Sequence, residues 1–215
     1  MKFCVIGLGR FGYQLATNLA EHGMDVLAVD SNESLVSSIK DQVTHAICMR
    51  VVDESSLRNI GADEMDTVIV AMGESFAQSI LITALLKKHL AVPMVITRAT
   101  NDLHKEILKL VGADRVVLPE KEIGIKLADN LSSPFTDLVR LSSDFAISML
   151  QAPKSFEGKK LKDLRLFEDY KILCIGLKNK ETNQIILITP EYVIQKNDRM
   201  VLAGKTEQLE EITEL

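Results

Sequence analysis

Residues 7–12, GLGRFG, are the stretch from which the fold is predicted, and they follow the short apolar run KFCVI (Lys2–Ile6). The stretch matches the pattern G-x-G-x-x-G, which binds dinucleotides when a strand precedes it and a helix follows it. Here residues 10–22 carry apolar side chains at helical spacing, and Asp30 ends the next apolar run, DVLAVD. An acid at about 20 residues beyond the glycines is the expected spacing. The combination predicts a strand–turn–helix unit that binds phosphates.

Each residue of this unit has a physical role in that prediction. Gly7 permits the tight turn, Gly9 lets the backbone approach a pyrophosphate, and Gly12 lets the helix pack close to the strand. Backbone N–H groups and the positive end of the helix dipole then face the phosphates. Asp30 can accept hydrogen bonds from both ribose hydroxyls and would repel a 2′-phosphate, which disfavours NADP. Arg10 either contacts an outer phosphate or is a solvated surface arginine.

The first 131 residues alternate between short apolar runs and helical patterns. Six strands are predicted, with five intervening helices and a sixth helix after the last strand. Because the runs are almost continuously apolar, both faces of the sheet should be buried, which indicates parallel strands. The prediction is an α/β, Rossmann-type, doubly wound parallel sheet over residues 1–131.

The pattern changes after residue 131. Residues 132–143 are expected to be a linker or crossover helix, with residues 135–140 helical, and residues 144–215 a small α+β domain. That domain should contain strands near 146–150, 171–178, 184–189 and 199–204, a short amphipathic helix at 159–166, a polar hairpin loop at 178–183, and a terminal helix at 207–215.

Composition excludes several classes of function. The chain has 215 residues, 47% of them apolar, and a formal net charge of −5, which gives no electrostatic reason to expect a nucleic acid or an anionic membrane as partner. The three cysteines form no C-x-x-C pair, so neither a zinc site nor a disulfide framework is indicated. The longest apolar stretch, residues 79–86, is far short of the ~20 residues that span a bilayer. Any membrane role should therefore go through a partner.

The sequence predicts binding without visible catalysis. Its four histidines are scattered, and none stands in an acid–base arrangement with a lysine or carboxylate. This favours a sensor, not an enzyme, although a small NAD-dependent oxidoreductase and a redox-sensing regulator remain alternatives. Asp30 serves any unphosphorylated ribose, so the sequence leaves ATP or ADP and NAD(H) open.

The segments VIGLGRFG, VLAVD, VIVAMGE, GADRVVLPEKEIG and DRMVLAG together resemble the regulator-of-K⁺-conductance (RCK) family. The likeness covers essentially the whole chain and is greatest to the cytosolic regulatory subunits of the Trk/Ktr potassium-uptake systems. It implies binding of ATP, ADP or NAD(H), homodimers assembled into an octameric ring, and docking on the cytoplasmic face of a membrane potassium-translocating subunit. Nucleotide exchange would then gate transport.

The resemblance also assigns residues. Arg10 matches a phosphate-contacting arginine, Asp30 the ribose-binding acid, and Glu120 a glutamate that in some members holds a divalent cation, Mg²⁺ or Ca²⁺. Arg98 and Asn101 fall near a dimer-facing rim. At the end of the third strand, residues 50–54 should lie near the adenine, and residues 71–74, at the end of the fourth strand, should lie in the same crevice. Residues 50–54, RVVDE, depart from the family's usual D-A-T-D-E, and Phe167 stands where some members place an arginine for a cyclic dinucleotide. The candidate cofactor-binding residues are Gly7, Gly9, Arg10, Phe11, Gly12, Asp30, Ser31, Asp53, Ala71 and Gly73, and Glu120 is the candidate metal ligand.

Overall fold

The computed structural model describes residues 1–73, 75–132, 136–178 and 184–213. The chain divides into two compact units, Met1–Lys121 and Glu122–Leu215. The domain limits expected from the sequence, at 131 and 144, remain predictions. No helix in the described ranges is both long enough and apolar enough to cross a membrane.

The first unit is built on a six-stranded, all-parallel sheet in the order β3-β2-β1-β4-β5-β6. Its strands are β1 (Lys2–Ile6), β2 (Asp25–Asp30), β3 (His45–Cys48), β4 (Thr67–Val70), β5 (Met94–Arg98) and β6 (Arg115–Val117). Its helices are α1 (Arg10–Glu21), α2 (Glu33–Ile39), α3 (Glu54–Asn59), α4 (Phe76–Lys88) and α5 (Asp102–Leu110), with a 3₁₀ turn at Ala62–Glu64. Helix α6 (Pro119–Ser132) begins in this unit and continues into the second one. The predicted doubly wound sheet is confirmed.

The sheet is buried on both faces, as the continuous apolar runs predicted. In β1, Cys4 packs into the core on one face while its neighbour Val5 packs into the core on the other. In β4, Val68 and Ile69 divide between the same two cores. Because successive side chains of a strand point to opposite faces, only an unbroken apolar run can serve a sheet covered on both sides.

The second unit contains a five-stranded antiparallel sheet in the order β10-β9-β11-β8-β7. Its strands are β7 (Thr136–Arg140), β8 (Phe145–Gln151), β9 (Leu173–Lys178), β10 (Ile185–Ile186) and β11 (Arg199–Lys205). Helices α7 (Leu166–Tyr170) and α8 (Thr206–Thr213) and 3₁₀ turns at Lys154–Phe156 and Leu161–Leu164 complete it. The α+β class is confirmed, with Leu202 of β11 and Leu209 of α8 fully buried in its core.

Two helical expectations were wrong. Residues 136–140, expected to be a crossover helix, are strand β7, because they pair antiparallel with β8 with Val139 opposite Ile147. Residues 159–166 are not one helix: Arg165, at φ +48°, separates the 3₁₀ turn from α7. The loop predicted at 178–183 lies, beyond Lys178, outside the described residues.

Candidate functional site

A pocket of about 1020 Å³ opens at the carboxyl edge of the parallel sheet, where it is lined by residues at or after the ends of β1 to β5 and by Glu120 of α6. The sheet order places β1 between β2 and β4, so the chain winds in opposite directions on either side of it. Open α/β sheets bind their ligands at this switch point. Predicted residues that line the pocket are Gly7, Gly9, Arg10, Phe11, Asp30, Ser31, Ala71, Gly73 and Glu120. Glu74, expected in the same crevice, lies outside the described residues.

The glycine-rich turn between β1 and α1 forms one wall. Gly7 has φ +97°, a conformation that L side chains rarely adopt, and its N–H donates to the carbonyl of Val29 at 2.8 Å. Gly12 does not line the pocket but lies under the turn, where an added Cβ would overlap the Gly7 carbonyl oxygen. Gly9 is the N-cap residue before α1 and offers no side-chain cap, and an added Cβ there would meet no atom within 4 Å. The first amides of α1 therefore remain available to an anion.

Asp30 is held in place by two backbone amides. Its Oδ2 accepts from the N–H of Leu8 at 2.6 Å, and its Oδ1 accepts from the N–H of Asn32 at 2.8 Å. A carboxylate oxygen has capacity for more than one hydrogen bond, so both oxygens can still accept from a ligand. The two amides fix the carboxylate at the end of β2 before any ligand arrives.

Arg50 and Val51, from the segment expected near the adenine, and Met72, from the segment expected at the end of β4, also line the pocket. Arg98, expected near a dimer-facing rim, lines it as well. The lining residues that the sequence did not indicate include Asn32, Leu35, Met49, Ser75 and Gln78. The amide of Gln78, on α4, donates to the carbonyl of Val51 at 2.5 Å and so joins two walls. Gln78 carries no signal of this role, because the contact spans 27 residues of sequence.

Asp53 is not among the residues that line the pocket. Its carboxylate caps α3, accepting from the N–H of Ser56 at 2.8 Å and from the hydroxyl of Ser55 at 2.9 Å. The Ser56 amide, followed by the two serine hydroxyls, holds the pKa of Asp53 below its usual range. Asn101 similarly caps α5 by accepting from the N–H of His104 at 2.8 Å. Both side chains have structural partners, and the cofactor contact of Asp53 remains a prediction.

Glu120 faces a guanidinium. Its Oε1 accepts from Nη2 of Arg98 at 2.5 Å, and the pKa of Glu120 is lowered first by its own backbone N–H at the start of α6 and then by Arg98. Within the described ranges, no three His, Cys, Asp or Glu side chains converge as a metal site. One ion-paired carboxylate does not make a cation site by itself, so a bound cation would need ligand oxygens from elsewhere.

The pocket presents polar groups suited to binding. Of its described lining residues, none is a histidine, lysine, cysteine or tyrosine. His104 of α5, the one fully buried histidine among those described, faces α4, where its Nε2 lies 2.9 Å from Oγ of Ser79 and its ring packs on Phe76. It is not a pocket residue.

Comparison with known proteins identifies the two units. Residues 3–119 match the TrkA-N domain and residues 146–215 match the TrkA-C domain. The chain belongs to the TrkA-N/TrkA-C family. This TrkA-type chain is 36% identical over 205 residues to Ktr system potassium uptake protein A of Bacillus subtilis (strain 168), covering 94% of this chain and 91% of that protein. Ktr system potassium uptake protein C of the same organism is 33% identical over 207 residues, covering 96% and 93%.

Solved structures share the fold of the TrkA-type chain. The GsuK RCK domain superposes with a TM-score of 0.56 at 22% identity, over 99% of this chain and 46% of that one. The GsuK channel bound to NAD gives a TM-score of 0.54 at 22% identity, over 99% and 38%. GsuK bound to ADP gives 0.53 at 24% identity, over 60% and 33%. These structures show the shared fold, and the family resemblance predicted from the sequence is confirmed by the TrkA-N and TrkA-C matches and the Ktr relatives.

Proposed function

We propose that this TrkA-type chain is a regulatory subunit that binds a nucleotide and thereby controls a membrane potassium-translocating partner. The observation that carries the proposal is the pocket at the strand ends, which combines an uncapped α1 N-terminus with a preoriented Asp30. The family supports the rest, since relatives that align over more than nine-tenths of the chain are potassium uptake proteins.

The proposed ligand lies across the switch point of the sheet. Its phosphates contact the turn at residues 7–12, its ribose hydroxyls contact Asp30, and its base lies toward residues 49–51. Since the Asp30 carboxylate repels a 2′-phosphate, NADP should be a poor ligand. ATP, ADP and NAD(H) all satisfy these contacts, and GsuK structures bound to NAD and to ADP are consistent with either class.

Control would act through differential binding. A ligand shifts a conformational equilibrium only if it binds one conformation better than the other. ATP and ADP differ at the outer phosphate, so Arg10, at the start of α1, and Glu120, through Mg²⁺ or Ca²⁺, are the proposed points of difference. The helix that begins beside Glu120, α6, continues along the chain into the second unit.

The proposed assembly is a homodimer that forms an octameric ring in the cytoplasm and docks on the membrane through its partner. Large apolar side chains exposed on the first unit support self-association, among them Leu81, Leu103 and Leu110, which are 49%, 68% and 82% exposed. The net charge of −5 argues against a nucleic acid as the partner.

Calorimetric titration of the purified protein with ATP, ADP, NAD and NADH, each with and without Mg²⁺ or Ca²⁺, tests the proposal. Selective ATP binding strengthened by the cation supports the regulatory reading and the metal role of Glu120. If NAD or NADH binds tightly and ATP and ADP bind with equal affinity, an NAD-dependent oxidoreductase becomes a candidate function again. Absence of all nucleotide binding would overturn the proposal. Potassium uptake by vesicles holding the membrane subunit, with and without this chain and each nucleotide, then tests control directly.

A further inference from the structure

The guanidinium of Arg98 lies in the pocket wall, and only some of its N–H groups have hydrogen-bond partners among the described residues. Arg98 ends β5, lines the pocket, and donates from Nη2 to Glu120. Its Nε is buried and has no hydrogen-bond partner among the residues the structure describes. Buried donors are almost always paired, and an unpaired one is costly, so this guanidinium makes fewer hydrogen bonds than its five N–H groups allow.

The backbone after β4 is shaped around this guanidinium. An added Cβ on Gly73 would overlap Nη1 of Arg98, so the arginine occupies the space that any other residue at position 73 would fill. The Arg98 side chain is only 20% exposed, whereas the carboxylate partner Glu120 is 71% exposed. The fold therefore fixes the cation more firmly than it fixes the carboxylate that pairs with it.

The position of Arg98 defines what part of a ligand it can meet. In the sheet, β2 and β5 are separated by β1 and β4, so the ends of β2 and β5 are three strand spacings apart. At about 4.8 Å a spacing this is roughly 14 Å between the backbone at Asp30 and the backbone at Arg98. A ligand whose ribose is held by Asp30 must extend past its first phosphate to approach Arg98.

We infer that Arg98 selects nucleotides that carry a second phosphate, exchanging Glu120 for that phosphate when the ligand binds. The ligand class is the nucleoside di- and triphosphates and the dinucleotides, against nucleoside monophosphates. The inference rests on the proposed function, because it assumes a nucleotide with its ribose at Asp30.

The exchange is favoured by the chemistry of the two acceptors. An exposed carboxylate is a weak partner because water screens the pair, whereas a phosphate offers a planar guanidinium several charged oxygens in a bidentate geometry. The second phosphate would bind at the Nη groups of Arg98, which contact Glu120 and lie against Gly73 in the pocket wall. Binding of the second phosphate releases Glu120, which lies in the first turn of α6. The presence of that phosphate therefore changes the contacts at the start of this helix.

Titration of the full chain with AMP, ADP and NAD tests the inference, in the wild type and in four variants. Arg98→Ala removes the guanidinium, Gly73→Ala displaces it without changing charge, and Glu120→Gln removes its partner. The matched control is Arg115→Ala, which removes an exposed arginine at the opposite, amino end of the neighbouring strand β6. AMP binding by each variant reports that the pocket is folded.

The expected result is a preference for ADP and NAD over AMP in the wild type that falls about tenfold or more in Arg98→Ala, the size typical of losing one charge-assisted bond. Gly73→Ala should reduce the preference as well, Glu120→Gln should increase it, and Arg115→Ala should leave it unchanged. An ADP-to-AMP affinity ratio in Arg98→Ala equal to that of the wild type overturns the inference while leaving the proposed function standing. Failure of every nucleotide to bind the wild type overturns both.

Discussion

The carboxylate of Asp30 accepts a hydrogen bond from the backbone N–H of Leu8 at 2.6 Å, which joins the end of β2 to the glycine-rich turn after β1. The two residues are 22 positions apart in sequence. The acid proposed to bind the ribose is therefore part of the same rigid unit as the turn proposed to bind the phosphates. Preorganisation of this kind lowers the cost of ordering the site when a ligand binds.

Replacing Asp30 with asparagine should weaken NAD and ADP binding about tenfold, because the ribose loses a charged acceptor. Affinity for NADP should fall less or rise, since the repulsion of a 2′-phosphate is removed. Calorimetric titration with NAD, ADP and NADP measures both effects. Asp25→Asn, an exposed position at the other end of β2, is the control and should change none of the three affinities. An unchanged NAD-to-NADP ratio in Asp30→Asn would remove Asp30 from the ribose site.

Two glycine substitutions should separate folding from binding. Gly12→Ala should lower the free energy of unfolding by about 1–3 kcal/mol, because the added methyl overlaps the Gly7 carbonyl and the helix must move. Gly9→Ala should leave stability within about 0.5 kcal/mol, since its Cβ meets open space, yet weaken nucleotide binding by intruding on the phosphates. Urea denaturation and titration with ADP measure the pair. Equal losses of stability in both variants would contradict the packing role of Gly12 and the ligand-facing role of Gly9.

Replacing Arg10 with alanine should narrow the affinity difference between ATP and ADP. Arg10 begins α1 and lines the pocket, where its positive charge favours ATP, the ligand with the additional phosphate. A hydrogen bond between charged groups contributes about 1.5–3 kcal/mol to the binding free energy. The measurement is the ratio of the two dissociation constants. Arg58→Ala, which removes an exposed arginine of α3, is the matched control. Unchanged affinities for both nucleotides in Arg10→Ala would count against this role.

The stability of the first unit should depend on pH through His104. Burial lowers the pKa of His104 below its ordinary value of 6.5, and its neighbours Ser79, Thr100 and Phe76 carry no charge. As the pH falls below about 6.5, His104 therefore binds a proton in the unfolded chain at a higher pH than it does in the folded protein. The free energy of unfolding should decrease as the pH falls toward the folded pKa, with no contribution from this group above about 6.5.

Urea denaturation at about pH 7.5 and about pH 5.5 checks that sign, since only histidine normally titrates in this range. The variant His104→Gln should lose less stability between the two conditions than the wild type does. His22→Gln, an exposed position after α1, should retain the wild-type loss. If His104→Gln and the wild type lose the same amount, the buried histidine is not the group responsible.

The parts of the fold that local pattern specifies were predictable. The central strands β1, β2 and β4 are short runs buried on both faces, and the turn at Gly7 requires a residue without a side chain, so composition and spacing alone indicate them. Strand β7 was missed because residues 136–140 become extended only by pairing with β8. Local propensity is a weak guide where a long-range ladder supplies the hydrogen bonds.

The sequence by itself determined the glycine-rich turn, the acid at the end of β2 and the family, because each is carried by short continuous segments of the chain. Only the tertiary structure decided that Gln78 joins two walls of the pocket and that Arg98 lies between Gly73 and Glu120. These roles depend on side chains that meet across separate strands and helices. No local pattern encodes such a meeting, because the order of the strands in the sheet creates it.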